Sequence, residues 1–380
     1  MRTAVQRRGA LALCVVLLFC LLAGCTGHSG EKNWSELTPQ STTELKYAKQ
    51  FTIEDYGNGL QLITIAQDRQ YLLVPEGAQA PAGVPEEVTV LQQPIQNIYL
   101  TATAAMDLFR ALDGLDAIRL SGTKESGWYL PEAQQAMEAG NILYAGKYSA
   151  PDYELILAQQ CGLAVESTMI YHNPEVKEQL ESLGIPVLVD YSSYESDPLG
   201  RMEWIKLYGA LLGKEEEAAR IFDEEVAAVQ PVLNQTNTEK TVVFFYITNT
   251  GTVNVRKSGD YIAQLIRMAG GVYVPDNQNG DEENALSTMN IDMESFYAAA
   301  HDADVLIYNS TVDGELASLD ELLKKSELLA DFKAVQNGEV WCTGKNMFQS
   351  SMSLGRMILE INAVLTQQAP DGLTYLYRLS

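Results

Sequence analysis

From Val88 onward, short apolar stretches alternate with segments of helical periodicity, and this alternation restricts the chain to an α/β fold. The first block contains five strand candidates, at 98–100, 118–120, 142–143, 163–165 and 185–189. Strands separated by helices of about 10–15 residues form βαβ units and a mostly parallel sheet. A second block begins at Thr241, with strand candidates at 241–247, 252–255, 272–273, 305–308 and 340–341.

A long helical segment separates the two blocks. Asp197 is a good N-cap for a helix that runs to Leu212, because the following proline suits the first helical position. A second helix starts at Glu215, and Pro231 should end it near residue 230, which leaves a rod of about 24 Å. We therefore predict two lobes, each a mostly parallel sheet flanked by helices, joined by one long rigid helix.

The N-terminus predicts export. Three arginines and no acid precede an apolar run of 13 residues at 10–22. A membrane span needs about 20 apolar residues, so this run is typical of a secretory signal. It ends in Leu22-Ala23-Gly24-Cys25, which resembles the bacterial lipobox, in which cleavage precedes the cysteine and its thiol is lipidated. The polar, Ser/Thr-rich stretch that follows predicts a flexible tether.

These patterns divide the chain into six predicted segments. They are a signal peptide (1–24), a tether (25–45), an N-terminal β-hairpin extension (46–85), an N-terminal α/β lobe (86–197), a helix pair (198–234) that includes the linker helix at about 215–230, and a C-terminal α/β lobe (235–380). The extension is predicted from β-prone residues on both sides of the turn sequence Gly57-Asn58-Gly59.

Charge and metal-binding residues exclude two classes of partner. The chain has 26 Lys and Arg against 50 Asp and Glu, a net charge of −24, so it would be repelled by nucleic acid. Only three histidines occur, and His172 and His301 lie in opposite lobes, so no His-rich metal site can form. Cys161 and Cys342 also fall in different lobes, and we expect two small buried thiols.

Sequence motifs give little support to catalysis. The chain has no G-x-S-x-G, H-E-x-x-H or G-x-G-x-x-G. Residues 209–215 (GALLGKE) have one residue too few between the glycines for a P-loop, and glutamate replaces its Ser/Thr. No catalytic residue is predicted, although 50 acids supply many carboxylate pairs and leave an extracytoplasmic enzyme as an alternative.

Several stretches, in this order and spacing, resemble the solute-binding lipoproteins of ABC importers, in the class that handles iron-siderophores, haem and cobalamin. They are 146–154 (GKYSAPDYE), 184–187 (GIPV), 202–220, 269–271 (AGG), 291–294 (IDME) and 337–341 (NGEVW). The resemblance covers roughly residues 85–366. The chain departs from the family at 160–162 and 301–304, where the usual proline-aspartate is missing, and in the additional β-rich segment at 51–74.

The resemblance implies a monomeric, lipid-anchored receptor on the outer face of the cytoplasmic membrane. Its partners would be an ABC permease with its ATPase, and it would need no cofactor. The ligand would be an iron-siderophore or a related metal chelate, with haem or cobalamin as alternatives. A sensor or adhesion lipoprotein without a permease is a further alternative. In the family, one surface glutamate on each lobe docks into arginine pockets of the permease, which points here to Glu154 and Glu294.

The ligand should lie between the lobes, because open α/β sheets bind ligands beyond the carboxyl ends of their strands. Loops at these ends are rich in aromatic and hydroxyl side chains, whose flat area suits a bulky chelate. The candidates are Thr101, Trp128, Lys147, Tyr148, Met169, Tyr171, Tyr191, Tyr246, Arg256 and Tyr261. Lys147, Arg256 and Lys345 are cations that could hold an anionic chelate. Tyr148, Tyr171, His172 and Met169 are possible axial ligands if the ligand is haem.

Overall fold

The computed structural model describes residues 33–276, 288–370 and 372–380, and it confirms the α/β fold with sheets flanked by helices. The predicted signal peptide and Cys25 lie outside these residues. The α-helices are Ala105–Ala111, Pro131–Glu138, Tyr153–Ala158, Pro174–Ser182, Pro198–Glu203, Ile205–Leu212, Glu215–Leu233, Tyr261–Met268, Met293–Ala300, Ser310–Asp313, Leu319–Lys325, Lys333–Gln336 and Leu354–Leu365. None of the helices in the described part of the chain has the length and apolarity of a membrane span.

The chain divides into two compact units. The smaller comprises the residues up to Thr38 together with Gln79–Glu86. Its described part contains the 3-10 turn Trp34–Glu36, and the Trp34 N–H donates to the Ala82 carbonyl over 2.8 Å. The larger unit contains the sheets and helices described below.

The N-lobe sheet has five parallel strands. Their order across the sheet is Val187–Asp190, Ala164–Ser167, Ile98–Leu100, Ile118–Ser121 and Leu143–Tyr144. All five correspond to predicted strands. Because the chain builds outward from the central strand Ile98–Leu100 in both directions, the order reverses between this strand and Ala164–Ser167. Such a reversal opens a crevice at the carboxyl ends of the two strands.

The C-lobe sheet has seven strands and mixes both directions. Its strands are Thr288–Ile291, Val253–Arg256, Thr241–Ile247, Val305–Tyr308, Val340–Thr343 and Leu376–Arg378 in spatial order, with Val272–Tyr273 beside the start of Thr241–Ile247. Four strands pair in parallel with one another, as predicted for the lobe. Val253–Arg256 and the two strands at the ends of this order pair antiparallel, and neither of the end strands was predicted.

The N-terminal extension is larger than the predicted 46–85. It is a five-stranded sheet of Ser41–Thr42, Phe51–Gly57, Leu60–Ile65, Arg69–Val74 and Thr89–Gln92. The first of these strands falls in the predicted tether and the last in the predicted N-lobe, where it pairs parallel with Arg69–Val74. The predicted hairpin turn is present, and Gly57, Asn58 and Gly59 all have positive φ angles, which glycine and asparagine tolerate best.

Two buried carboxylates hold the segment between the first two strands of this sheet. The Glu203 carboxylate accepts the three backbone N–H groups of 46–48 over 2.7–2.9 Å and the Lys206 ammonium over 2.7 Å. Glu195 accepts the N–H groups of 49–50 at 2.9–3.0 Å. Both glutamates are buried. Residues 46–50 are therefore fixed to the helical layer, although they have no regular secondary structure of their own.

The helices between the lobes differ from the prediction at two points. The predicted helix from 198 to 212 is two helices, Pro198–Glu203 and Ile205–Leu212, and its predicted cap is present, because Asp197 accepts the Leu199 N–H. The linker helix Glu215–Leu233 continues past residue 230, since a proline so close to the end removes only one hydrogen bond. Its 19 residues span about 28 Å.

One apolar core joins both lobes. It includes Leu100 and Phe109 from the N-lobe, Phe222 from the linker helix, and Phe244 and Ile358 from the C-lobe, all nearly or fully buried. Two smaller clusters lie on the outer faces of the two lobe sheets. The lobes therefore share their main source of stability, because burial of apolar surface dominates folding.

Candidate functional site

Thr101 and Glu166 meet at the point where the strand order of the N-lobe sheet reverses. Thr101 directly follows Ile98–Leu100, and Glu166 lies near the carboxyl end of Ala164–Ser167. The Thr101 hydroxyl donates to Glu166 Oε2. Thr101 was predicted as a ligand residue, and its half-buried side chain stands at the edge where ligands bind in open α/β sheets.

Glu166 was not predicted, yet it is an unusual residue at this edge. It is fully buried, and its Oε1 has no hydrogen-bond partner in the described structure. Burial raises the pKa of Glu166 to about 7, and the Thr101 hydrogen bond opposes this shift. A buried carboxyl group without a countercharge is costly to ionise. Glu166 therefore changes charge near neutral pH.

This shift predicts how stability depends on pH. An exposed glutamate has a pKa of about 4.3, so between about pH 4.3 and 7 folded Glu166 keeps a proton that the unfolded chain has lost. Its contribution to the free energy of unfolding should therefore fall as the pH rises through this range and stay constant above it. We compare the free energies of unfolding of Glu166→Gln and the wild type in urea. The difference, variant minus wild type, should rise by about 3 kcal/mol between pH 4 and pH 8.

The exposed Glu178→Gln is the matched control, and its stability should follow that of the wild type at every pH. A constant difference between Glu166→Gln and the wild type from pH 4 to 8 would contradict the assigned shift.

Exposed apolar side chains recur at the carboxyl ends of the parallel strands in both lobes. Of the nine exposed large hydrophobic residues in the described structure, six lie at or soon after such ends, five in the N-lobe and one in the C-lobe. These six are Tyr129, Tyr144, Met169, Tyr171, Tyr194 and Val312. A group of exposed apolar residues marks a binding surface. We call these six residues the apolar rim.

Several predicted ligand residues lie at this edge. Met169 and Tyr171 are exposed on the 3-10 helix Thr168–His172, and half-buried Tyr191 follows the neighbouring strand. Lys147 and Tyr148 belong to a short hairpin of Gly146–Lys147 and Ala150–Pro151, where Lys147 is exposed and Tyr148 is half-buried.

Two predicted ligand residues are core residues instead. Trp128 is fully buried, and its indole N–H donates to Ser121 Oγ over 3.2 Å. Tyr261 is 6% exposed, and the Arg201 guanidinium lies 3.5 Å from its ring centroid. Both lie in regions predicted to face the ligand, but their side chains point into the protein.

Arg256 also lies away from the predicted ligand edge, and Tyr246 packs against the core. Val253–Arg256 runs antiparallel to its neighbour, so Arg256 ends beside the middle of Thr241–Ile247 and not at its carboxyl end. There Arg256 forms an ion pair with Asp260 at 3.7 Å. Tyr246 is half-buried within its strand and packs against the C-lobe core.

Direct hydrogen bonds connect the two lobes beside the apolar rim. The Gln349 amide bridges the loop after Ile118–Ser121, since Oε1 accepts the Tyr129 N–H over 2.7 Å and Nε2 donates to the Gly127 carbonyl over 2.8 Å. Nearby, the Met352 N–H donates to the buried Asp107 carboxylate over 2.8 Å. These bonds oppose wide opening of the lobes. The sequence held no signal for them, because they join residues more than 200 positions apart.

Glu154 and Glu294 occupy equivalent positions in the two lobes. Each is the second residue of a helix, and each helix is capped by an aspartate. Asp152 accepts the Leu155 N–H over 3.0 Å, and Asp292 accepts the Ser295 N–H over 2.7 Å. Both glutamates are exposed. The caps hold the first turns in place, so both carboxylates project from rigid helix ends.

Metal-ligating groups do not converge in the described part of the chain. No three or more His, Cys, Asp or Glu side chains there are grouped so that they could hold a metal ion. Cys161 and Cys342 are free thiols, as predicted. Cys342 is buried as expected, whereas Cys161 is only half-buried.

Comparisons with known proteins agree with this architecture. Residues 101–347 match the family described as Periplasmic binding protein. The uncharacterized lipoprotein MJ0878 of Methanocaldococcus jannaschii is 24% identical over 96% of this chain and 94% of its own length. The periplasmic haem-binding protein HutB of Vibrio cholerae has a similar fold, with a TM-score of 0.58 at 18% identity, over 72% of this chain and 99% of its own.

A Saccharomonospora viridis structure, described as an ABC-type Fe3+-hydroxamate transport system, gives a TM-score of 0.54 at 20% identity, over 72% of this chain and 93% of its own. The family match covers well over half of the chain. The chain therefore belongs to the periplasmic binding protein family, as the sequence motifs predicted. This is a family of solute-binding proteins that work without a cofactor.

Proposed function

We propose that the protein is a lipid-anchored receptor of an ABC importer, which captures an iron-siderophore or a related metal chelate outside the membrane and delivers it to the permease. Its ligand would lie at the strand ends, against the apolar rim and Thr101. Cys25 would carry the lipid, residues from Thr26 onward would provide the tether, and the receptor would act as a monomer. Haem and cobalamin are the alternative ligands.

The apolar rim is the observation that carries this proposal. Six exposed large hydrophobic residues, four of them tyrosines, lie at or soon after the carboxyl ends of parallel strands, five in the N-lobe and one in the C-lobe. Tyrosine offers a flat apolar face with one polar group, which suits the bulky, partly unsaturated surface of a chelate or macrocycle. The haem-binding and Fe3+-hydroxamate proteins of similar fold, and the lipoprotein relative, support the same conclusion.

Ligand titration tests the proposal. The processed protein, purified in detergent, is titrated with a ferric tris-hydroxamate, a ferric tris-catecholate, haem and cobalamin, and intrinsic fluorescence is recorded. We expect micromolar or tighter binding of at least one iron chelate. Tight binding of haem or cobalamin alone would select the alternative ligand, and no binding of any of the four would contradict the proposed ligand class.

A further inference from the structure

The hairpin tip of the N-terminal sheet reaches the strand ends of the N-lobe. The Tyr71 hydroxyl donates to the carbonyl of Val187 over 3.1 Å, at the start of Val187–Asp190. Two residues earlier in the strand Arg69–Val74, the side chain of Arg69 meets Tyr191, just beyond the end of Val187–Asp190. The two strands thus run in opposite senses, which brings the tip at 66–68 to the edge that carries the apolar rim.

Arg69 lies over the tyrosines at this edge. Its guanidinium carbon is 5.3 Å from the Tyr171 ring centroid and 5.0 Å from that of Tyr191, within the range of cation–π contacts. Tyr191 in turn contacts Tyr194, with ring centroids 5.2 Å apart. Tyr171 and Tyr194 are exposed. One cation and three aromatic rings therefore form a single surface, which we call the Arg69 platform.

Arg201 serves a structural purpose, and the surroundings of Arg69 differ from those of Arg201. Arg201 also stacks on a tyrosine, but it donates to the backbone carbonyls of Glu195 and Ser193, which is a structural use of the guanidinium. Among the described residues, the Arg69 guanidinium donates to no backbone carbonyl. Its side chain is one-third exposed, and its carboxylate partner Asp68, 2.9 Å away, is three-quarters exposed and free to turn toward water. An incoming anion can replace such a partner at little cost.

The tip itself has a strained backbone. Ala66 and Gln67 have φ angles of 50° and 72°, in the left-handed region that side chains with a Cβ disfavour. The Ala66 N–H donates to the carbonyl of Gln50 over 2.8 Å, which helps to hold this conformation. Such a conformation persists only where the surrounding structure maintains it.

We infer that the Arg69 platform is one wall of the ligand site, and that Arg69 binds a negatively charged group of the chelate while the three tyrosines contact its planar part. The inference rests on the proposed function and narrows it to anionic chelates with planar groups, such as catecholates or a carboxylate-bearing macrocycle. It also gives the additional N-terminal sheet a role in ligand recognition.

Two variants of the full protein that each remove one positive charge, Arg69→Gln and Arg220→Gln, test the inference. Arg69→Gln should weaken binding of the ferric tris-catecholate, a trianion, about tenfold or more, because a hydrogen bond to a charged group is lost. Binding of the uncharged ferric tris-hydroxamate should change less than threefold. The control Arg220→Gln removes the same charge from the exposed face of the linker helix and should leave both affinities unchanged.

Arg69→Lys keeps the charge without the planar guanidinium and should fall between Arg69→Gln and the wild type. Equal thermal unfolding midpoints of all variants and the wild type would show that the substitutions leave folding intact. If the wild type binds the catecholate and Arg69→Gln binds it equally well, the inference is overturned while the proposed function stands. A wild type that binds only the uncharged chelate also overturns the inference. If the wild type binds no chelate, the proposed function fails with it.

Discussion

The double substitution Glu154→Arg and Glu294→Arg is expected to abolish solute uptake by cells, while the affinity of the purified protein for its solute stays unchanged. Each glutamate is exposed at the second position of a capped helix, one on each lobe, so the pair presents two fixed negative charges. If these charges dock on arginines of the permease, reversing both replaces attraction by repulsion at two points. Like-charge contacts across an interface cost several kcal/mol.

The matched control reverses one exposed glutamate on each lobe elsewhere, as Glu178→Arg with Glu327→Arg, and uptake should persist. Uptake is measured with radiolabelled iron chelate in cells lacking the wild-type protein. Normal uptake by the Glu154/Glu294 double variant would contradict docking through these residues, and a loss of solute affinity would instead place them near the ligand.

Glu203→Gln is expected to lower the free energy of unfolding by about 3–5 kcal/mol, because it removes one partner of a buried ion pair. The buried Glu203 carboxylate accepts three backbone N–H groups as well as the Lys206 ammonium. A carboxamide has only one acceptor oxygen, so its NH2 group must face a donor. Lys206, itself 9% exposed, then loses the negative charge that faces its ammonium.

Urea unfolding of Glu203→Gln and the wild type at pH 7 measures this difference. The control Glu217→Gln affects an exposed ion pair with Arg220 and should change stability little. Similar midpoints for Glu203→Gln and the wild type would show that residues 46–48 contribute no stability through this carboxylate.

The parallel parts of the fold are predictable from the sequence because they repeat a local rhythm. The strands Ile98–Leu100 and Val305–Tyr308 are short apolar runs between helices, and such runs predict strands from the sequence alone. Thr288–Ile291 and Leu376–Arg378 lack this signal, since each includes polar residues and is defined by the neighbour with which it pairs. The strand Thr89–Gln92 was not predicted either, and its residues fell within the predicted N-lobe.

The candidate site shows a similar division. Position along the chain correctly places Thr101 and Tyr171 after the carboxyl ends of strands, because the end of a strand is a local property. The direction in which a side chain points is not a local property, so Trp128 was expected at the ligand but lies in the core. Arg69 reaches Tyr171 from about 100 residues away, through the packing of one sheet on another, and no local pattern announces such a contact.

The apolar core that runs through both lobes also limits how such a receptor can diversify. A lobe exchanged with that of a relative would have to match dozens of buried neighbours at once, so recombination of whole lobes would seldom yield a working receptor. Single replacements on loops and at the hairpin tip disturb none of that packing. A lineage that moves to a new nutrient would therefore change its rim and keep its interior.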